Sequence, residues 1–207
     1  MIPTSTRAPP APPTSRGPTV TAILNADRTA IRTTASGPAA ADPVPIAPYL
    51  HPALATVAPL AGAVAPRHPL WTPDELVRLT DLLVRSAPGT LRGIARHDPD
   101  HRWYLRLALT GQIEVWLIGW APGQGTRPHD HGGASGAYTV LDGALAETLR
   151  DGAALPRREV VGPSRSSRFG PERLHVVANS GRADATSVHA YSPPLLPLGE
   201  RGSLDQE

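Results

Sequence analysis

Residues 120–143 read WAPGQGTRPHDHGGASGAYTVLDG, and the rest of the chain can be interpreted around the His129-Asp130-His131 triplet at their centre. Side chains alternate between the two faces of a β-strand, so residues two positions apart point the same way. A strand over about residues 127–132 would therefore direct both imidazoles at one point. Two neutral imidazoles supply half of a metal site, and we expect another part of the chain to complete it.

Short strand patterns separated by turns surround this triplet. Asp142-Gly143 is a strong hairpin signal, and the residues at 110–112 also read as a hairpin turn. Many short strands at this spacing predict a mainly β antiparallel sandwich or barrel. The predicted strands cover residues 104–109, 113–120, 127–132, 136–142, 144–150, 157–161, 165–169, 173–179 and 184–191.

One helix precedes the strands. Thr72 is suited to the N-cap, Pro73 to the first helical position, and Glu75 to closing a capping box. Leucines spaced for one helical face predict that this face packs on the barrel. The helix is expected to run from Pro73 to about Ser86, to be ended by the Pro-Gly pair at 88–89, and to be followed by a short second helix over 90–95.

Composition limits the class of protein. The 207 residues include 25 prolines and no cysteine, which excludes a disulfide framework, a zinc knuckle and a thiol nucleophile. All 20 basic residues are arginine, the net charge is +2, and the arginines are scattered, so we expect no nucleic-acid or membrane partner. The N-terminus lacks the pattern of a secretory signal, and we expect a cytoplasmic monomer.

Four segments are expected along the chain. Residues 1–48 are rich in proline, alanine and threonine and are predicted to form a disordered tail. Residues 49–100 form an irregular and helical segment packed on the barrel, which itself covers residues 101–198. Residues 199–207 form a C-terminal tail.

The histidine triplet and a later histidine together resemble the two motifs of the cupin family. Gly123, His129, His131 and Gly143 are spaced as in the first motif, and the run LHVVAN, which begins at residue 174 and contains His175, resembles the end of the second. Most cupins carry a glutamate that is separated from the second histidine by three or four intervening residues. Here the two places hold serine and glycine, so the resemblance implies a site of three histidines without a carboxylate.

A longer stretch narrows the resemblance. Residues 122–149, PGQGTRPHDHGGASGAYTVLDGALAETL, together with SVHAYSPPL at 187–195, are similar to the bacterial members of the cysteine dioxygenase type I family of thiol dioxygenases. This implies a jelly-roll cupin barrel of the RmlC-like type. It also implies a mononuclear Fe(II) centre that uses O2 to oxidise a small thiol carboxylate, L-cysteine first among them, to its sulfinate.

The same resemblance assigns roles to individual residues. The iron ligands would be His129, His131 and His175. Ser187, His189 and Tyr191 match the family's catalytic relay, in which the tyrosine also contacts the substrate. Arg106, in Tyr104-Leu105-Arg106, matches the arginine that binds the substrate carboxylate, and Arg127 is a rival for that role.

Alternatives remain open from the sequence. The substrate could be another thiol, such as 3-mercaptopropionate or mercaptosuccinate, and the protein could be a non-catalytic metal-binding or sensory cupin. Imidazoles also accept nickel, manganese and zinc. Gly136 occupies the place of the cysteine that animal members cross-link to their active-site tyrosine, so this cysteine-free chain cannot form that cross-link.

Overall fold

The computed structural model describes residues 48–55, 57, 70–150 and 155–195. Apart from Pro48, the tails predicted at 1–48 and 199–207 lie outside these residues. The described elements are β1 (Tyr49–Leu50), a 3₁₀ turn (Pro52–Leu54), α1 (Pro73–Ser86), α2 (Pro88–Ile94), β2 (Trp103–Leu109), β3 (Glu114–Trp120), β4 (Ser135–Asp142), β5 (Leu145–Arg150), β6 (Arg157–Val161), β7 (Ser166–Phe169), β8 (Leu174–Ala178) and β9 (Ala185–Ser192).

Helix α1 has the predicted bounds and the predicted cap. The Thr72 side chain accepts a hydrogen bond from the Glu75 backbone N–H, and the Glu75 carboxylate accepts one from the Thr72 backbone at 2.8 Å. The second helix begins at Pro88 rather than near residue 90. The Pro-Gly pair therefore does more than end α1, because a proline is as suitable for the first position of α2 as Pro73 is for α1.

The strands form two antiparallel sheets. The large sheet has the order β1-β2-β3-β9-β4-β7, and the small sheet has the order β6-β5-β8. Both helices and the outer face of the large sheet share one core, which includes Leu76, Leu83, Leu117, Val188 and Ala190. A second core lies between the sheets and includes Ile118, Trp120, Tyr138, Val140, Leu145 and Val177. The predicted mainly β cupin barrel with a short helical segment is confirmed.

The alternation along β9 explains how one strand serves both cores. Val188 and Ala190 face the helices, whereas Ser187, His189 and Tyr191 belong to the opposite face, which looks towards the small sheet. All eight residues of β9 are buried. The space between the sheets therefore receives a row of polar side chains beside the apolar second core, and this row marks the candidate site.

Two sequence expectations were wrong in detail. The Asp142-Gly143 pair turns the chain, with Gly143 at φ 71°, but β4 and β5 belong to different sheets and do not form a hairpin. The turn needs glycine for a second reason, since a Cβ at Gly143 would lie 2.6 Å from the Asp184 carbonyl oxygen. The signal identified a backbone conformation that only glycine adopts easily, and not the pairing of the flanking strands.

The second error concerns residues 127–132, which form a loop between β3 and β4 instead of a regular strand. The whole connection between β3 and β4, residues 121–134, pairs with β8 only through isolated bridges, at Gly125 with Ala178 and at His129 with His175. No helix within the described ranges is long and apolar enough to span a membrane.

Candidate metal centre

Three histidines from two parts of the chain meet between the sheets. His129 and His131 come from the loop after β3, and His175 comes from β8. Their ring centroids lie 4.8 to 5.0 Å apart, and one nitrogen from each ring lies within 4.8 Å of the others. The His129 and His175 backbones exchange two hydrogen bonds of 3.1 Å, so the loop is aligned with β8 where the imidazoles converge.

The hydrogen bonds fix the tautomers of two of these rings. The His129 Nδ1 lies 2.9 Å from the Arg127 carbonyl oxygen, and the His175 Nδ1 lies 2.6 Å from a carboxylate oxygen of Glu147. A carbonyl and an ionised carboxylate can only accept, so both Nδ1 atoms carry the proton. The lone pairs of these two rings are therefore on Nε2, where they are available to a metal ion.

Burial disfavours the protonated form of two of the three imidazoles, His129 and His131. Burial lowers the pKa of His131 to about 3, and the two neighbouring imidazoles act on it in the same direction. Burial also lowers the pKa of His129, against the hydrogen bond to the Arg127 carbonyl, which raises it. His131 Nδ1 is buried and has no hydrogen-bond partner in the described part of the chain. Neutral imidazoles with available lone pairs and an unpartnered buried nitrogen fit a bound cation.

A buried carboxylate lies behind His175, and the sequence reasoning missed it. Glu147, on β5, is 1% exposed and accepts hydrogen bonds from His175 Nδ1 and, at 3.1 Å, from the Tyr138 hydroxyl. Burial raises the pKa of Glu147, but the hydrogen bonds from His175, Ser167 and Tyr138 outweigh burial, and the pKa is lowered overall. The Glu147 carboxylate is therefore ionised. It does not itself belong to the imidazole cluster.

Glu147 had one signal in the sequence that could have found it. Leu145 and Leu149 alternate with Glu147 on the inward face of β5 and are buried. An acidic residue at an inward position of an amphipathic strand requires a buried partner. The partner is His175, the residue directly opposite Leu149 on β8.

The predicted Ser187, His189 and Tyr191 form a hydrogen-bonded series on β9. Ser187 Oγ lies 2.8 Å from His189 Nε2, and the Tyr191 hydroxyl lies 3.4 Å from His189 Nδ1. The Trp120 indole extends the series, because its Nε1 donates to Ser187 Oγ at 2.9 Å. The Tyr191 ring stacks on His131 with centroids 5.2 Å apart, which places the end of the series beside the histidine cluster.

The arginine that the sequence selected lies on the same sheet face but has a partner already. Arg106 on β2 is opposite Trp116, which is opposite His189 on β9. Its guanidinium bonds the buried Glu114 carboxylate at 2.9 Å and lies 4.7 Å from the Trp116 ring centroid. Burial raises the pKa of Glu114, against the charge of Arg106, which lowers it.

A second arginine, Arg102, was not singled out from the sequence. It hydrogen-bonds the Tyr104 hydroxyl and, at 2.7 Å, the Gly125 carbonyl oxygen. It also lies 5.0 Å from the Trp120 ring centroid. Burial is the largest influence on the pKa of His129, His189 and Tyr191; it lowers the pKa of the two histidines and raises that of the tyrosine. The positive charge of Arg102 lowers the pKa of all three groups, but the pKa of Tyr191 is still raised overall. Arg102 has no carboxylate partner within the described residues.

The rival Arg127 contributes the carbonyl that orients His129.

The space beside Gly136 is filled by the chain's single phenylalanine. Gly136 is opposite both Tyr191 on β9 and Phe169 on β7. A Cβ at Gly136 would lie 2.3 Å from the Phe169 ring and 3.1 Å from Tyr191 Cδ1. Phe169 in turn stacks on His131 with centroids 4.4 Å apart. The ring packing therefore holds both His131 and Tyr191 in place without a covalent link.

Comparison with known proteins identifies a family. The family model described as cysteine dioxygenase type I matches residues 74–199. A protein of Thermus thermophilus is 19% identical, with a TM-score of 0.46 over 50% of this chain and 94% of that one. A double-stranded β-helix protein of Klebsiella pneumoniae is also 19% identical (TM-score 0.42, 50% and 86%). A cupin superfamily protein of Desulfitobacterium hafniense is 16% identical (TM-score 0.40, 49% and 84%).

Proposed function

We propose that this chain, which belongs to the cysteine dioxygenase type I family, is a mononuclear non-heme iron thiol dioxygenase. Its substrate is a small thiol carboxylate, with L-cysteine as the first candidate. The single observation that carries this proposal is the cluster of three imidazoles. His129, His131 and His175 converge, and no carboxylate joins their nitrogens among the described residues. Such a cluster favours an anionic thiolate ligand, because no ligating carboxylate repels it.

Iron held by these three imidazoles would supply the activation of O2 at the substrate sulfur. The overall reaction balances without another electron donor, because a thiol and O2 together give a sulfinic acid when both oxygen atoms are retained on sulfur. The protein's contribution is then to bind the substrate, to orient it and to keep water away. Tyr191 and His189 are only 8% and 4% exposed, so this side of the site is largely closed to water.

The substrate carboxylate requires a cationic partner, and we favour Arg102 over the predicted Arg106. Arg106 is already neutralised by the buried Glu114, and releasing it would leave that carboxylate buried without its partner. Among the described residues Arg102 bonds uncharged oxygens only, so an incoming carboxylate can pair with it without displacing another charge. A guanidinium can bind a carboxylate in bidentate fashion.

The proposal is tested by O2 uptake. Full-length protein purified without oxygen and loaded with Fe(II) is mixed with L-cysteine, 3-mercaptopropionate or mercaptosuccinate, and the product mass is determined. We expect uptake with L-cysteine and a product heavier by two oxygen atoms. His131→Ala should lose both iron and uptake. The dioxygenase proposal fails if iron-loaded protein consumes no O2 with any thiol, and binding of a thiol without uptake would support the sensory alternative.

A further inference from the structure

A buried series of four polar groups ends at the candidate metal centre. It runs from the Trp120 indole to Ser187, His189 and Tyr191, with separations of 2.9, 2.8 and 3.4 Å. Trp120 is 1% exposed and Ser187 is 0% exposed, so water cannot supply missing hydrogen bonds at this end. The protons of Trp120 and Ser187 must therefore both have protein acceptors.

The first group sets the direction of the series. An indole N–H can only donate, so Ser187 Oγ accepts from Trp120. Within the described residues the only other partner of that hydroxyl is His189 Nε2. If the Ser187 proton is given to Nε2, then Nε2 is the acceptor and the ring proton is on Nδ1. His189 Nδ1 then donates to the Tyr191 oxygen, and every group up to the tyrosine is satisfied.

The opposite direction leaves a defect. If Tyr191 donated to His189 and His189 donated to Ser187, the serine oxygen would accept twice, from the imidazole and from the indole. The serine proton would then have no acceptor at a site that is 0% exposed. A buried unsatisfied donor costs about 1–3 kcal/mol, so this arrangement is the less stable one.

We propose that Trp120 is a positioning residue that fixes this direction, so that Tyr191 presents its hydroxyl proton, and not a lone pair, to the ligand in the site. The group that faces Tyr191 must then be a hydrogen-bond acceptor, as a thiolate, carboxylate or reduced oxygen species is. The inference rests on the proposed function only for the identity of that ligand. The direction itself follows from the buried hydrogen bonds and from the donor-only chemistry of indole.

The tautomer of His189 tests the direction without any turnover. Full-length protein labelled with nitrogen-15 and loaded with Zn(II), which is diamagnetic, gives nitrogen shifts that distinguish a protonated Nδ1 from a protonated Nε2. We expect the proton of wild-type His189 on Nδ1. Finding it on Nε2 in the wild-type protein overturns the proposal, whatever the variants do.

Trp120→Phe tests the role of the indole, because it keeps an aromatic ring and removes the N–H. Ser187 then has no obligatory donor, and we expect a substantial population of His189 to change to the Nε2 tautomer. Trp103→Phe is the matched control, since Trp103 packs in the helix-side core and should leave the tautomer unchanged. An unchanged tautomer in Trp120→Phe would assign the direction to some other group. If that variant does not fold, Ser187→Ala is used, in which the preference for Nδ1 should also be lost.

Kinetics provides the functional readout. In iron-loaded protein, Trp120→Phe should reduce kcat on the order of tenfold with iron content unchanged, a smaller loss than the roughly hundredfold expected for a deleted proton-transferring group. Trp103→Phe should retain wild-type kcat. An unchanged kcat in Trp120→Phe would refute the positioning role. Absence of O2 uptake in the wild-type protein would refute the proposed function, while the zinc-loaded tautomer measurement would still decide the direction of the series.

Discussion

Replacing Glu147 by glutamine is expected to weaken metal binding although the residue does not belong to the imidazole cluster. The glutamine retains the shape of the side chain and one acceptor oxygen, so His175 Nδ1 can still donate. The negative charge behind the imidazole is lost, and with it the force that holds the proton on Nδ1 and the lone pair on Nε2. The amide N–H2 also needs an acceptor where Tyr138 now donates.

The structure gives the magnitude. His175 and Glu147 are 2% and 1% exposed and lie 2.6 Å apart, so solvent does not screen the charge-assisted bond. Hydrogen bonds to charged groups contribute about 1.5–3 kcal/mol. Loss of a group that orients a metal-binding histidine lowers metal affinity about 10- to 100-fold, which corresponds to roughly 1.4–2.8 kcal/mol. The two routes agree, and we expect the dissociation constant to rise by one to two orders of magnitude.

The assay is an anaerobic titration of metal-free protein with Fe(II) or Zn(II) against a competing chelator. The matched control is Glu159→Gln, because Glu159 is directly opposite Glu147 on β6 and is paired with Arg157 at 2.6 Å, but its side chain is 39% exposed. An exposed pair of this kind contributes about 0–1 kcal/mol, and its loss should leave metal affinity unchanged. Wild-type affinity in Glu147→Gln would refute the reasoning.

Three further perturbations follow from the site. The pKa of His131 is about 3 in the folded protein, so only the unfolded chain binds a proton at this residue as the pH falls through its ordinary pKa. Metal-free protein should therefore lose about 1.4 kcal/mol of unfolding free energy between about pH 7.5 and 5.5. A His131→Asn variant should not show this component in urea titrations. Gly136→Ala should lower the unfolding free energy by roughly 1–3 kcal/mol by overlap with the neighbouring phenyl ring, whereas Gly93→Ala, which meets nothing within 4 Å, should not. Arg102→Gln should raise the KM for L-cysteine about tenfold or more at constant metal content. A larger rise in KM in Arg106→Gln would indicate that Arg106, and not Arg102, binds the substrate carboxylate.

Local patterns in the sequence were sufficient for most of the fold. The capping box predicted the first residue of α1, and the Pro-Gly pair at 88–89 predicted where it ends. Alternating apolar positions identified the strands from β2 to β9 within two residues at each end. Both kinds of signal depend on neighbours in the chain, which a sequence displays directly. The Asp142-Gly143 turn failed as a hairpin because the pairing of β4 and β5 depends on which sheet each strand joins, and the turn residues contain no information about that.

The histidine triplet shows how a correct grouping can rest on a wrong element. Residues 127–132 are not a strand, yet His129 and His131 do converge on His175. The reason is that the bridge between His129 and His175 gives the loop a strand-like alignment at the one place where alternation matters. The groups that the sequence did not suggest are Glu147, Trp120 and Arg102, and each has a hydrogen-bond partner at least 23 positions away along the chain.

The missing carboxylate in the histidine motif has a different meaning once Glu147 is included. With a divalent cation bound, the site would have two positive charges from the ion, one from Arg102 and one negative charge from Glu147, while Arg106 and Glu114 neutralise each other. Two positive charges remain, which is the charge that a ligand with both a thiolate and a carboxylate cancels. A thiol without a carboxylate would leave the Arg102 charge unpaired in a poorly hydrated site, at a free-energy cost that favours thiol carboxylates over simple thiols.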